Sequence, residues 1–305
     1  MRSIPVFPPR LKSGARVALV APAGPISDVK NLERAAENTR SLGWEPVVGK
    51  NAGARWGYLA GSDALRVADL NEAIKNSKID GVWCVRGGYG AIRILESTDY
   101  ASLRENPKPL IGFSDITALH SAIAEHSGIV SFHGPTARGE LTEFSRSSLA
   151  KAVTEGVDPC GVAPSAREIS SGRAFGRLAG GNLAVLTALV GTPYSPDLSD
   201  SILILEDVNE PLYRVDRMLH QLLLSGALST CRAIAFGDCT GAEENGATAG
   251  LDDLLRSIAQ RLGIPCLAGI PVGHIPDQWT IPIGALATLD TSERTLTVHF
   301  DEGGK

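Results

Sequence analysis

Cysteine is scarce in this chain and forms no recognisable pattern. The five residues (Cys84, Cys160, Cys231, Cys239 and Cys266) are scattered, odd in number and without a C-x-x-C pair. That excludes a disulfide framework and a cysteine-based zinc site. No apolar run approaches the roughly 20 residues that a membrane-crossing helix needs. There is no excess of positive charge either: 29 Lys and Arg against 34 Asp and Glu leave a net charge of −5. Nothing in that balance would draw the chain to nucleic acid or to an anionic membrane. A P-loop and an H-E-x-x-H motif are both missing, and the histidines and carboxylates show no metal-ligand spacing, so no cofactor or metal is expected. The N-terminal stretch carries basic residues, but Pro5, Pro8 and Pro9 interrupt it before any apolar segment. It does not read as a secretory signal, and the expected location is the cytoplasm.

The chain does have enough length, 305 residues at 43% hydrophobic and 21% charged, for two soluble domains. The first 135 residues alternate strand and helix signals. The strands are "RVALVAP", "EPVVG", "DGVWCVRGG", "PLIGFS" and "IVSFHG", separated by amphipathic stretches such as "SDALRVADLNEAIKNSK". Such alternation predicts βαβ units and a mainly parallel sheet with helices on both faces. From about residue 139 to 172 the pattern weakens into Pro, Gly and Ser punctuation around one helix, which reads as a linker. Strand signals resume at "SILILED", "RAIAFGD" and "PCLAGI", and "GALATLD" and "TLTVHF" predict a closing antiparallel pair. The expected fold class is therefore α/β. A Rossmann-like or flavodoxin-like N-terminal domain (1–138) and a linker (139–172) precede a smaller C-terminal α/β domain with a mixed sheet (173–305).

In parallel sheets of this kind, ligands sit beyond the carboxyl ends of the strands. Two features fall there: "RGG" at 86–88, and Ser114 in "PLIGFSDITALH". Ser114 has two readings, an ordinary helix N-cap or a nucleophile on a tight strand-to-helix turn, and the local sequence favours the cap. A nucleophilic serine needs a base, usually an imidazole oriented by a third group. Among the six histidines, His120 and His126 read as surface or packing residues on the following helix, and His220 and His299 as structural. His133 ends a strand and could face the sheet's edge. His274 is different, because it lies in a loop dense in Gly and Pro just after an apolar strand.

For the orienting acid, Ile202 to Leu205 lead into Glu206 and Asp207 at a strand end. A carboxylate there needs a partner, since burying a lone charge is costly. A histidine is one; the competing readings are a carboxylate that simply leaves the sheet into water, or one paired with Arg214 or Arg217. The glycines of "RGGYG" and the amide of Asp115 are candidate oxyanion donors. The alternative reading of that turn, a dinucleotide fingerprint, is weakened by Arg93 standing where its third Gly belongs.

Together, "RGGYG", "IGFSDITALH", "GRLAGGNLAVLTALVGTPY", "ILILEDVNEPLYRVDRML" and "GHIPDQWTIPIG" resemble the LD-carboxypeptidases (muramoyltetrapeptide carboxypeptidases), serine peptidases with a Ser-Glu-His triad. "VALVAPAGPI" and "GYLAGSDALRVADLN" extend the likeness, which runs in order from about residue 11 to 290. The resemblance implies Ser114 as nucleophile, Glu206 as orienting carboxylate and His274 as base. It implies the backbone N–H groups of Gly88 and Asp115 as oxyanion donors, with Gly87 as a further candidate. Ile275 and Gln278 stand where the family often has Gly and Asn, which leaves the shape of that pocket open.

The implied reaction is hydrolysis of an L,D-amide bond that releases the terminal D-alanine of murein tetrapeptides in peptidoglycan recycling, by a homodimer without cofactor. Arg86 lies in a suitable region to receive the terminal carboxylate. Two other readings stand beside it. One is a microcin C immunity-type peptidase cleaving aminoacyl-sulfamoyl nucleotide conjugates, although the chain lacks obvious aromatic additions for stacking a base. The other is a non-catalytic nucleotide- or sugar-binding module. With Ser114 in the first domain and Glu206 and His274 in the second, the site is expected in the cleft between them, where domain closure would assemble the triad.

Overall fold

Strands β1 (Arg16–Val20), β2 (Glu45–Val48), β3 (Gly81–Cys84), β4 (Leu110–Gly112) and β5 (Ser131–His133) run parallel in the order β2-β1-β3-β4-β5. This is the flavodoxin-like winding, whose strand order reverses between β1 and β3. The computed structural model describes residues 6–242 and 250–300; Pro5 of the N-terminal stretch lies outside the described residues. Every residue of β3 and β4 is buried, as uninterrupted apolar runs covered on both faces require. Helix α1 (Lys30–Ser41) packs on the face carrying Leu19, Trp83, Ile111 and Phe132. Helices α2 (Asp63–Lys75), α3 (Tyr100–Glu105) and α4 (Thr117–His126) cover the other, around Val82, Leu110, Leu119 and Ile123.

The remainder builds a second sheet. After α5 (Glu143–Ala150) come β6 (Gly161–Val162), β7 (Arg167–Ser170), β8 (Arg173–Asn182), α6 (Leu183–Ala188) and β9 (Ser201–Asp207). They are followed by α7 (Leu212–Leu224), β10 (Ala233–Cys239), α8 (Leu251–Leu262), β11 (Cys266–Ala268), β12 (Ile281–Ile283), β13 (Leu286–Asp290) and β14 (Thr295–His299). The order is β6-β14-β13-β8-β9-β10-β11-β7. The central β8, β9, β10 and β11 are parallel, and the outer strands antiparallel, so the sheet is mixed.

Two segments differ from their sequence reading. The stretch 139–172 carries α5 and supplies β6 and β7, the two opposite edges of the second sheet, so it is woven into that sheet. "TIPIG", which reads as loop, contains β12. Its backbone adds antiparallel to β5 of the first sheet, Ile281 opposite His133, while Trp279, Ile281 and Ile283 pack with Leu178, Ile202 and Ile204 of the second. β12 thus ties the two sheets together directly after the loop that bears His274.

Candidate active site

Strand β4 ends at Gly112, and the chain turns through Ser114 into one 3-10 turn before α4 begins at Thr117. Ser114 has φ +64°, a left-handed conformation that costs a non-glycine residue about 1–2 kcal/mol. Ser114 caps neither turn, since the N-cap positions fall to Phe113 and Ile116, and its hydroxyl lies 3.2 Å from His274 Nε2. On the other side of the imidazole, Nδ1–H donates to Glu206 Oε2 at 2.8 Å. Ser114, His274 and Glu206, 160 and 68 residues apart in pairs, therefore form one hydrogen-bonded line with the proton on Nδ1.

Each member is placed by its element. Glu206 is fully buried near the end of β9, and His274 is its hydrogen-bond partner; Arg214 pairs instead with Glu210, and Arg217 lies over the Tyr213 ring. Asp207, on the opposite face of the strand, accepts from Asn182 Nδ2 and Ala184 N–H at 3.0 and 2.9 Å and so secures the start of α6; burial raises its pKa. His274 packs on the Phe113 ring at 4.8 Å. Its loop is held to α5, where Ser145 Oγ donates to Pro276 O and accepts from Gln278 N–H. Gln278 Nε2 donates to Ile275 O, so both residues that depart from the family pattern serve the loop's own shape.

The glycine turn after β3 closes over Ser114. A methyl group on Gly87 would sit 2.8 Å from Ser114 Cβ and 3.1 Å from Oγ, so only glycine brings this backbone so near. No acceptor among the described residues takes the Gly88 N–H. The next amide after Ser114 belongs to Asp115, whose buried side chain reaches back to accept the Ala91 N–H at 2.8 Å. It thereby fastens the turn after β4 to the turn after β3. Burial pushes the Asp115 pKa up to about 6. Arg66 holds the same turn from behind, donating to Gly90 O at 2.8 Å and to Pro22 O and pairing with Asp63.

The other predicted residues fall outside this line. His120 is buried, not on the surface. Its Nε2–H donates to Gly112 O and its Nδ1 accepts from Ser131 Oγ, both at 2.8 Å, and burial lowers its pKa to about 4. His133 is fully buried with neither ring nitrogen hydrogen-bonded, and burial drives its pKa well below the usual value. His126 and His220 bond to main-chain oxygens, and His299 meets Thr288. Arg86 donates to Pro25 O at 2.7 Å. Sequence reasoning missed Gly273, although a glycine directly before the histidine was the available signal. At φ +127° it passes so close to Glu206 that a Cβ would lie 3.2 Å from that residue's Cβ. The Asp115 carboxylate escapes sequence reasoning too, since the strand-turn-helix pattern points only to the amide of this residue.

Residues 17–134 match the LD-carboxypeptidase N-terminal domain, and residues 175–289 the LD-carboxypeptidase C-terminal domain. A probable murein peptide carboxypeptidase of Bacillus subtilis is 35% identical, over 96% of this chain and 94% of its own. The murein tetrapeptide carboxypeptidase of Pseudomonas aeruginosa is 36% identical over 90% and 93%. The solved muramoyltetrapeptide carboxypeptidase of Oxalobacter formigenes superposes with a TM-score of 0.82 at 32% identity, covering 93% and 98%. The microcin C7 self-immunity protein of Escherichia coli is more distant, 25% identical over 98% and 97%.

Proposed function

The chain belongs to the LD-carboxypeptidase family, and from that premise we propose that it is a serine carboxypeptidase acting on murein tetrapeptides. It would hydrolyse the L,D-amide bond that holds the terminal D-alanine. The observation that carries this reading is the line from Ser114 Oγ through His274 to Glu206, built on a strained strand-to-helix turn.

In this mechanism His274 Nε2 takes the Ser114 proton as Oγ attacks the scissile carbonyl carbon, and Glu206 holds the resulting imidazolium in place. The Gly88 and Asp115 N–H groups, with Gly87 framing the turn, receive the charge that develops on the carbonyl oxygen. His274 then passes its proton to the departing amine, and water cleaves the acyl-enzyme by the same route in reverse. No described helix is long and apolar enough to cross a membrane. A cytoplasmic homodimer belongs to the same reading, and light scattering on the purified protein tests the dimer.

The decisive experiment incubates the protein with murein tetrapeptide and follows loss of one alanine by mass spectrometry. Wild type should release it, and Ser114→Ala should be slower by about 10⁴-fold or more. An inactive wild type, or an unimpaired Ser114→Ala, would refute the reading. An aminoacyl-sulfamoyl adenylate in a parallel arm should be the poorer substrate; a preference for it would move the chain to the immunity-type activity.

A further inference from the structure

Three arginines, Arg34, Arg86 and Arg138, lie within electrostatic reach of one another near the carboxyl ends of β1 and β3, and none of them is ion-paired among the described residues. Arg86 follows β3 almost at once. Its Nη1 is bonded to Pro25 O, and its Nη2 lies 3.4 Å from where a Cβ on Gly88 would stand. Arg138 is brought to the same point by its main chain, whose N–H donates to Val85 O at 3.2 Å. Asn38 on α1 clamps that segment, donating to the carbonyls of Ala137 and Gly139 at 2.8 and 2.9 Å. Arg34 lies one turn before Asn38 on the same face of α1. Burial, and then the charges of Arg86 and Arg34, depress the pKa of Arg138. Among the described residues no carboxylate pairs with any of the three, and the Nε atoms of Arg86 and Arg138 are buried without an acceptor.

A chain of net charge −5 that collects cations in this way, and leaves buried donors unmet, is built to receive an anion. The planar forks of arginine suit a carboxylate in particular. The position agrees, because β1 and β3 flank the point where the winding reverses, the usual place for a ligand. We infer that Arg86, Arg138 and Arg34 form the subsite for the free C-terminal carboxylate of the peptide, an assignment that rests on the carboxypeptidase reading. The register follows from the chain. Gly87 packs on Ser114, and the Arg86 head lies against Gly88, whose N–H the mechanism above assigns to the scissile carbonyl oxygen. The terminal carboxylate of an exopeptidase substrate lies one residue, or about 3.8 Å of chain, beyond that carbonyl. A cation there would also reject longer peptides.

Steady-state kinetics on the full-length enzyme test this with the tetrapeptide as free acid and as C-terminal amide. Wild type should favour the acid by at least about tenfold in kcat/KM. Arg138→Gln should lose about tenfold to a hundredfold on the acid, chiefly through KM, and change little on the amide. Arg138→Lys should recover part of the loss. Equal losses on both substrates, or none, overturn the assignment, and so does a preference that follows amidation of an upstream carboxylate instead. Calorimetry on Ser114→Ala, with and without Arg138→Gln and with thermal melts alongside, separates weakened binding from misfolding. If the tetrapeptide neither binds nor turns over, the peptidase reading fails on its own. A glutarate-dependent rise in Tm that Arg138→Gln abolishes then still upholds a carboxylate site, and its absence removes that as well.

Discussion

Ser114 and Gly273 both hold constrained backbone positions beside the hydrogen-bonded line, and they are constrained differently. Ser114 adopts φ +64° although it carries a Cβ, so strain is stored at the residue whose hydroxyl meets His274. Gly273 at φ +127° needs both the freedom and the emptiness of glycine, because Cβ atoms of Glu206 and Asp238 would each stand 3.2 Å from an added one. Gly273→Ala should therefore displace His274 against Glu206. A shift on the order of 1 Å lowers kcat/KM about 10²-fold. Tetrapeptide turnover, measured beside a melting curve, checks this, and an unchanged kcat/KM would show that the histidine loop is not positioned through this contact. The local sequence supported the bland alternative for Ser114, and the remote residues reversed it. Arg34 and Arg138 gave no such signal, because nothing in a linear sequence reveals that a helix, a strand end and a loop meet.

At the scale of elements, the turns after β3 and β4 act as one piece, since the Asp115 carboxylate in one accepts the Ala91 N–H in the other. Burial raises this acid to about 6, above the ordinary value near 3.9. The folded state thus holds its proton more tightly than the unfolded state. The associated stability is fully present below about pH 4 and is lost as pH rises through about 6. Asp115→Asn, which cannot ionise, should gain stability relative to wild type over that interval, by roughly 2 kcal/mol between pH 4 and pH 7. Denaturant titrations of both proteins across this range measure it, and a constant difference would mean that Asp115 is not desolvated in the native state. Most elements were legible because burial left a plain mark: β1, β3, β4, β9 and β10 are apolar runs bounded by turn residues. β8 was obscured by its glycines. Gly181, however, has to be small, since a methyl there would meet Thr117 Oγ1 at 2.5 Å, and the Asn182 N–H beside it donates to that same oxygen. β6, β7 and β12 are too short, or too rich in proline, to show a period.

For the whole molecule, the consequence is that the hydrogen-bonded line spans two sheets: Ser114 extends from the first, Glu206 and His274 from the second. β12 pairs with β5 while its side chains fill the second core, Asn182 bonds to Thr117, and α5 holds the histidine loop. Ser114 and His274 already lie 3.2 Å apart, so closure is not needed to bring them together. Two halves tied this way should unfold as one cooperative unit. The tryptophans supply independent reporters: Trp44 and Trp83 touch edge to face in the first core, and Trp279 lies in the second. With the exposed Trp56 also replaced by Phe, Trp279→Phe leaves the first pair to report, and the Trp44→Phe/Trp83→Phe double variant leaves Trp279. Each reporter should give the same urea midpoint as circular dichroism of the same protein, and alanine release should be lost at that midpoint too. Activity that disappears at lower urea, ahead of both cores, would instead mean that the sheets part before they melt. β12 would then be a hinge rather than a tie.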